Sequence, residues 1–321
     1  MEIRQIIDTE INHYKHLVGL SGTIFNTPEW LGNFQNTVQI YGIYDDDGQL
    51  LGGFHLFVDR FYFLRHIKNP PFTPNCGLFF SNIAKNKSKK SSFEKNIMSV
   101  LSEFINDRHP SITTIGFPSQ VIDMQHFYWK NFKVIPNYTY QINVTQEEEE
   151  IFAAFSPERR NDIKKAQRDN LKTSEITDYS IIKELVIKTF DRQKDSIPMG
   201  ILDKILFKFA NPSNSLGIIV SNDDKVIAGI FCVFDQRSFY YLLGGYDSSN
   251  RHSGAVALAI WEAIKKAKAS GASIFDFEGS MIPNVEKFFR DFGGDLVPYF
   301  TINKALLPAE ILLKFIKRNR F

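Results

Sequence analysis

The sequence predicts an α/β protein made of two related domains, each a mixed, mostly antiparallel sheet flanked by helices. Three observations lead there. The second half repeats the skeleton of the first: an acidic turn and apolar strand, DDDGQLLGGFHLFV from Asp45, returns as NDDKVIAGIFCVF from Asn222. Phe117 is followed by Tyr128 and Phe132, and Phe277 by Phe288 and Phe292, both sets stepping 11 and then 4 residues. Finally, 321 residues suffice for two domains with full cores. So long a period marks a duplicated domain rather than a solenoid unit. The boundary falls in the glutamate run Gln146–Glu150, giving domains 1–146 and 147–321.

Residues 1–37 read as helix, with a turn at Trp30–Gln35. Val38–Tyr44 and Leu50–Val58 form a hairpin around Asp45–Gly48, and Phe61–Arg65 is a third strand. Asn69-Pro70-Pro71-Phe72-Thr73-Pro74-Asn75 is a shaped loop, since proline lacks the donor N–H and restricts its predecessor. Ser91/Ser92 can cap a helix to about Arg108, stopped by Pro110. Ile112–Phe117 is a strand, Asp123–Asn131 a short helix, and Lys133–Val144 closes the first domain. The glutamates then start a helix, where they complement its dipole. Ser156-Pro157-Glu158 opens a basic helix to about Asn170, with proline at its first position. Helices at Ser180–Asp191 and Ile201–Ala210 precede strands Leu216–Ser221, Val226–Phe234 and Phe239–Gly245. Gly254–Ser270 is an amphipathic helix ended by Gly271. Strand Ile274–Glu278, helix Val285–Asp291, strand Leu296–Ile302 and a helical tail 308–321 complete the chain. A mixed sheet with a long helix among its strands fits an α/β cofactor-binding fold.

Composition excludes several classes. The 43% apolar and 23% charged content is that of a soluble globular protein, and a net charge of +2 gives no field that demands DNA. Two distant cysteines, Cys76 and Cys232, make neither a disulfide framework nor a metal spacing and fit a reducing, cytoplasmic compartment. The start, MEIRQIIDTEIN, is not a signal peptide, and no apolar run is long enough to span a membrane. The seven histidines are scattered, so no metal is expected. There is no Walker loop, His-Glu-x-x-His or Gly-x-Ser-x-Gly.

The strongest chemical signal is Tyr241-Leu242-Leu243-Gly244-Gly245-Tyr246-Asp247 followed by Ser248-Ser249-Asn250-Arg251-His252-Ser253-Gly254-Ala255. A strand ends, a small-residue loop follows and a helix begins. The exposed amides of that helix start form an anion site, Gly254 lets a ligand approach the backbone, and Arg251 adds a charged fork. The alternative reading is a plain strand-to-helix turn. The basic helix Glu158–Lys172 sets six cations against three acids; it reads as a contact for a phosphate-bearing substrate or as a solvated face. Phe275-Asp276-Phe277-Glu278 places two carboxylates at alternate strand positions, hence on one face.

Arg251-x-x-Gly254-Ala255-Val256 resembles the loop with which GCN5-related N-acyltransferases (GNAT proteins) cradle the coenzyme A pyrophosphate. More widely, Pro70–Pro74, Ser156–Ala166, Tyr241–Lys266, Phe275–Gly279 and Phe292-Gly293-Gly294 resemble the Fem-type peptidoglycan-bridge aminoacyltransferases and the related BioF2-like acetyltransferases. Those proteins are built of two tandem GNAT domains, in line with the repeat. The resemblance implies an acetyl-CoA or other acyl-CoA co-substrate held by Arg251, His252, Ser253, Gly254 and Ala255. Backbone amides near Leu243 and Gly244, where strands splay in the superfamily, would hold the reacting carbonyl. Acyl transfer to an amine needs a proton acceptor; Glu278 is the first candidate, Asp276 the second. Fem-type enzymes have a helical hairpin that helps engage tRNA, for which there is no room between Asp178 and Ile218. Where they often carry Phe-Lys, this chain has Phe288-Phe289, leaving Arg290 to supply a charge.

The leading expectation is therefore an N-acyltransferase moving an acyl group from a thioester to a small amine, amino-sugar or peptide acceptor, in cell-envelope or polysaccharide biosynthesis. Donor binding is expected in the second domain and the acceptor on the first, with its Pro-rich loop. The first domain lacks an Arg-x-x-Gly loop and is expected to have lost donor binding. One alternative is an aminoacyl-tRNA-dependent transferase acting on a peptidoglycan precursor; another is a non-catalytic binding protein. The tail, with Lys314, Lys317, Arg318 and Arg320 beside Ile311, Leu312, Phe315 and Ile316, reads as a docked helix or as a peripheral membrane contact.

Overall fold

The acidic turn behaves as its composition demands. Asp45 Oδ1 accepts the amides of Asp47 and Gln49 at 3.0 and 2.8 Å, and Gly48 supplies the left-handed φ of +78°. The turn joins β2 (Val38–Tyr44) to β3 (Leu50–Phe61), which pair antiparallel. The computed structural model describes residues 1–34, 37–61, 64–82, 84–193, 196–279, 281–316 and 320. Gln35, Lys317, Arg318 and Phe321 of the turn and tail read above lie outside them. Two compact units emerge: Met1–Asn137 with Pro298–Phe321, and Tyr138–Val297.

In the first unit, β1 (Glu2–Gln5), β2, β3 and β4 (Leu64–Lys68) run antiparallel in that order. The expected helix over 1–37 is replaced by this first strand, by α1 (Ile11–Ser21) and by the short α2 (Pro28–Leu31). Pairing of Glu2 to Gln5 against Tyr44 to Tyr41 outweighs local helix preference there. Two-residue β5 (Phe79–Phe80) pairs with β3. Helix α3 (Lys87–Asn106) then crosses to β6 (Ile112–Gly116), which runs parallel to β4. Asn86, not Ser91 or Ser92, caps α3, its side chain accepting the Lys89 amide at 2.8 Å. Helix α4 (Gln125–Trp129) and strand β7 (Lys133–Asn143) follow.

The Pro-rich loop is part of this unit's interior. Cys76 donates to the Gly116 carbonyl at 2.8 Å and His55 donates to the Cys76 carbonyl at 2.9 Å, so the segment bridges β6 and β3. Asn69 Nδ2 holds the Pro74 carbonyl, and Pro70, Thr73 and Cys76 are buried. In the loop expected to help hold an acceptor, Pro70 and Thr73 thus pack inward while Pro71, Phe72 and Pro74 stay half-buried.

The second unit repeats the plan. Strands β8 (Lys172–Ile176), β9 (Ser215–Asn222), β10 (Lys225–Phe234) and β11 (Ser238–Tyr246) run antiparallel. Helix α9 (Ala255–Ala269) crosses to β12 (Ile274–Asp276), parallel to β11, and α10 (Pro283–Arg290) follows. Ahead of the sheet lie α5 (Glu148–Ala154), α6 (Pro157–Arg168), α7 (Ser180–Gln193) and α8 (Met199–Lys204). Nine residues of α9 are buried, and they pack with Ile218, Ile230, Phe275 and Phe292 in one core.

The closing strands do not follow the halves of the sequence. Gln141–Asn143 of β7 pair with β12 in the second unit, while Thr301–Ala305 of β13 (Asp295–Ala305) pair with β6 in the first. The compact units therefore divide at 137/138 and 297/298, whereas the glutamate run suggested 146/147. A strand's composition tells that it will pair, not with which half. The chain ends in α11 (Leu307–Ile316), part of the first unit.

Candidate active site in the second unit

β11 and β12 separate. Their parallel register stops at Tyr240 and Asp276, although β11 continues to Tyr246. On its other edge β11 stays paired with β10, but with a bulge: Phe231 faces Leu243 and Cys232 faces Tyr241, leaving Leu242 as the extra residue. The bulge shifts the alternation by one, so Tyr241 and Gly244 share a face. A Cβ on Gly244 would stand 1.8 Å from the Tyr241 hydroxyl, so only glycine fits. The phenol has no hydrogen-bond partner among the described residues, and burial pushes its pKa up.

β12 leaves its course through a bend. Phe277 still donates to Tyr140 at 3.1 Å, but Glu278 and Gly279 both have positive φ, +59° and +76°. A non-glycine residue in that region is costly and is kept by its surroundings. Asp276 provides them: its Oδ1 accepts the Thr139 hydroxyl at 2.6 Å and the Glu278 amide at 2.8 Å, and its Oδ2 accepts Gln141 Nε2 at 2.7 Å. Burial raises the Asp276 pKa and these three donors partly offset that. Glu278 is pushed well above the ordinary carboxylate range, first by burial and then by the neighbouring Asp276 charge, while part of its surface remains open to solvent. The two carboxylates are thus coupled, but not as equals on a strand face: Asp276 is saturated with donors and acts as the brace for Glu278. Nearby Tyr240 is buried, and its phenol is pushed far up by burial and by Asp235 and Glu278.

The loop after β11 is built by local caps. Asp247 Oδ1 accepts the Ser249 amide at 3.1 Å, and Oδ2 accepts Asn250 Nδ2 at 2.7 Å. Arg251 is exposed, with its guanidinium 5.6 Å from the Tyr246 ring centroid; Arg192 of α7 flanks the same ring at 4.4 Å and donates to the Tyr246 carbonyl. The Asn250 and Ser249 hydrogen bonds, and after them the charges of Lys188 and Lys225, hold the Asp247 carboxyl below its usual range. Sequence reasoning missed Arg192, which lies 54 residues before the residue it grips. His252 Nδ1 accepts the Gly254 amide at 3.1 Å, which assigns the proton to Nε2, 3.0 Å from Asp169 Oδ2. Ser253 is exposed and Ala255 buried at the helix start. The Val256 and Ala257 amides of the first turn have no acceptor inside α9. Gly254 is required by packing. A Cβ there would lie 2.0 Å from the Asp162 carbonyl, so the glycine admits α6.

The basic helix is only partly free. Arg159 is buried between Asp162 at 3.0 Å and Asp291 at 3.7 Å, under the Phe288 ring, and burial lowers its pKa. Arg160 ties down the carbonyls of Ala153 and Phe155. Lys164, Lys165, Arg168 and Lys172 are exposed. Arg290 pairs with Glu286 at 3.7 Å on the exposed side of α10; among the described residues no hydrogen bond or ion pair joins it to Glu278 or Asp276. Both cysteines are buried with thiols pushed up, Cys76 to about 12, which is wrong for a nucleophile. Among the described residues, no three acidic, histidine or cysteine side chains are grouped to hold a metal. In the first unit, the position after Phe117 that answers to Glu278 is Pro118.

Residues 191–290, spanning this site, match the family model of an acetyltransferase (GNAT) domain. No curated protein matches the sequence. Among solved structures, FemX is similar at 12% identity and TM-score 0.67, covering 98% of this chain and 100% of its own. The C-terminal domain of a putative lysylphosphatidylglycerol synthetase from Agrobacterium fabrum is similar at 8% identity and TM-score 0.60, covering 95% of each chain. L-PGS from Bacillus licheniformis is similar at 10% identity and TM-score 0.55, covering 97% of this chain and 96% of its own. At such identities the likeness is one of fold.

Proposed function

We propose that this chain, a GNAT protein with the Fem-like fold, is an N-acyltransferase that moves an acyl group from an acyl-CoA thioester to an amine in its second unit. The observation that carries this reading is Glu278: a carboxylate with raised proton affinity, held in a left-handed bend beside the point where β11 and β12 part. A base with a raised pKa is matched to taking a proton from an ammonium near neutral pH. The free amine would then attack the thioester carbonyl, and amides near Leu243 and Gly244 would steady the oxyanion. As the tetrahedral intermediate collapses, the C–S bond breaks and the thiolate needs a proton. Tyr241, protonated at neutral pH, gives that proton, and the second proton of the attacking nitrogen, released as the amide forms, restores the phenol. Arg251, with Arg192 behind Tyr246, and the first turn of α9 would hold the donor's phosphates. Transfer is direct, since neither cysteine is fit to carry the acyl group. The first unit carries Pro118 instead of a carboxylate and is assigned no transfer chemistry.

The test is thermal melting with acetyl-CoA and free coenzyme A, using Arg251→Ala as the control. A ligand of the folded state raises the melting temperature. A rise lost in Arg251→Ala supports the thioester donor. No rise, or one that the variant keeps, rejects this site as the donor site and moves the weight to aminoacyl-tRNA or to binding without turnover.

A further inference from the structure

Helix α11 carries its apolar side outward. Leu307, Ile311, Leu312 and Phe315 fall at i, i+4, i+5 and i+8, one face of a helix, and are 73, 52, 60 and 85% exposed. The half-buried positions are Ala309, Glu310 and Leu313, so the helix is apolar on both its inner and its outer side. Beside it in the same unit lies a cleft of about 610 Å³, lined from α4 and the sheet by Tyr128, Trp129, Lys133 and Lys304, and from α11 by Glu310 and Lys314. Tyr128 and Trp129 are 71 and 61% exposed, whereas the matching Phe289 of the second unit is buried. Lys304 is anchored to Asn106 and to the Lys130 carbonyl, and Lys314 pairs with Glu310 at 2.7 Å. The cleft thus sets three lysines against one glutamate, next to an apolar ridge exposed among the described residues, with aromatic side chains at its edge.

We infer that this face docks on an anionic lipid bilayer, α11 lying in the interface with Leu307, Ile311, Leu312 and Phe315 among the acyl chains. The ten-residue helix is about 15 Å long, half the hydrocarbon thickness, so it lies on a membrane and does not cross it. Exposed tyrosine and tryptophan suit the headgroup level, and the lysines favour anionic over zwitterionic lipid. The inference rests on the first unit alone and is independent of the chemistry proposed for the second.

The experiment is co-sedimentation with vesicles of phosphatidylcholine, with and without phosphatidylglycerol, together with tryptophan emission. Trp30 and Trp261 are buried, so a blue shift on vesicle addition reports Trp129. Binding is expected with phosphatidylglycerol, weakening with salt, and falling about tenfold or more for Leu312→Glu and again for Phe315→Glu. No binding or blue shift of the intact protein with either vesicle overturns the inference, whatever the variants do. It is also overturned if the free protein is a dimer that Phe315→Glu turns into a monomer, which would make the face a contact between copies.

Discussion

Asp276 holds the main chain of Glu278: its Oδ1 accepts the Glu278 amide at 2.8 Å, at the residue where φ reaches +59°. Asp276, the carboxylate first in sequence, therefore positions the half-buried Glu278. Asp276→Asn would turn an amide donor toward at least one of the three donors that Asp276 now receives. A loss of about 1–3 kcal/mol is expected by denaturant unfolding. An unchanged midpoint would show that the brace is dispensable.

Stability should depend on pH through Glu278. Its folded pKa lies above the unfolded value, so the native state holds its proton longer. Stability is then full below the ordinary carboxylate range and declines as pH rises toward the folded pKa. Glu278→Gln removes that decline. The variant should melt above the wild type at neutral and alkaline pH, with the gap closing in acid. A variant less stable than wild type at every pH would contradict the assignment.

Gly244→Ala should be destabilising by about 1–3 kcal/mol, because its Cβ meets the Tyr241 hydroxyl. Tyr241→Phe in the same chain should recover part of the loss, since the nearest remaining ring atom stands at 2.8 Å. Independent, additive effects in the double variant would mean that the two residues do not share the face.

The two ends of the basic helix should respond differently. Arg159→Ala leaves Asp162 and Asp291 without their buried partner and should cost about 3–5 kcal/mol. Lys164→Ala and Lys165→Ala are exposed changes and should shift stability by less than about 0.5 kcal/mol. Comparable losses in all three would count against this division of labour.

Replacing His252 by Ala removes the acceptor for the Gly254 amide and the link to Asp169, and should cost about 1 kcal/mol. It should also weaken coenzyme A binding by loosening the start of α9. Calorimetry with the intact variant reads both, and unchanged affinity would remove His252 from the donor site.

Much of the fold was legible because local chemistry dictated it. Ser156 caps α6 with Pro157 at its first position, Asp45–Gly48 makes the hairpin, and α9 runs from just after Gly254 to its stop before Gly271. Strands β1 and β8 were not legible: both are short, half-exposed edges whose pairing, not composition, makes them strands. The repeat of 11 and 4 residues also slips in the first unit, where Phe127 fills the core and Tyr128 faces out. At the site, the glycines and carboxylates stood out in sequence, but their tasks did not. Gly254 meets a carbonyl 92 residues away, and Asp276 takes its donors from β7, 135 and 137 residues distant.

The role proposed for Glu278 is to take the proton during acyl transfer. Its most direct measurement is thiol release from acetyl-CoA, with a panel of primary amines, followed across pH for the wild type and Glu278→Gln. The wild-type rate should climb as Glu278 loses its proton, and the variant should be slower by about 10²–10⁴-fold while still binding acetyl-CoA. A variant that transfers as fast as the wild type with the same pH profile would contradict it.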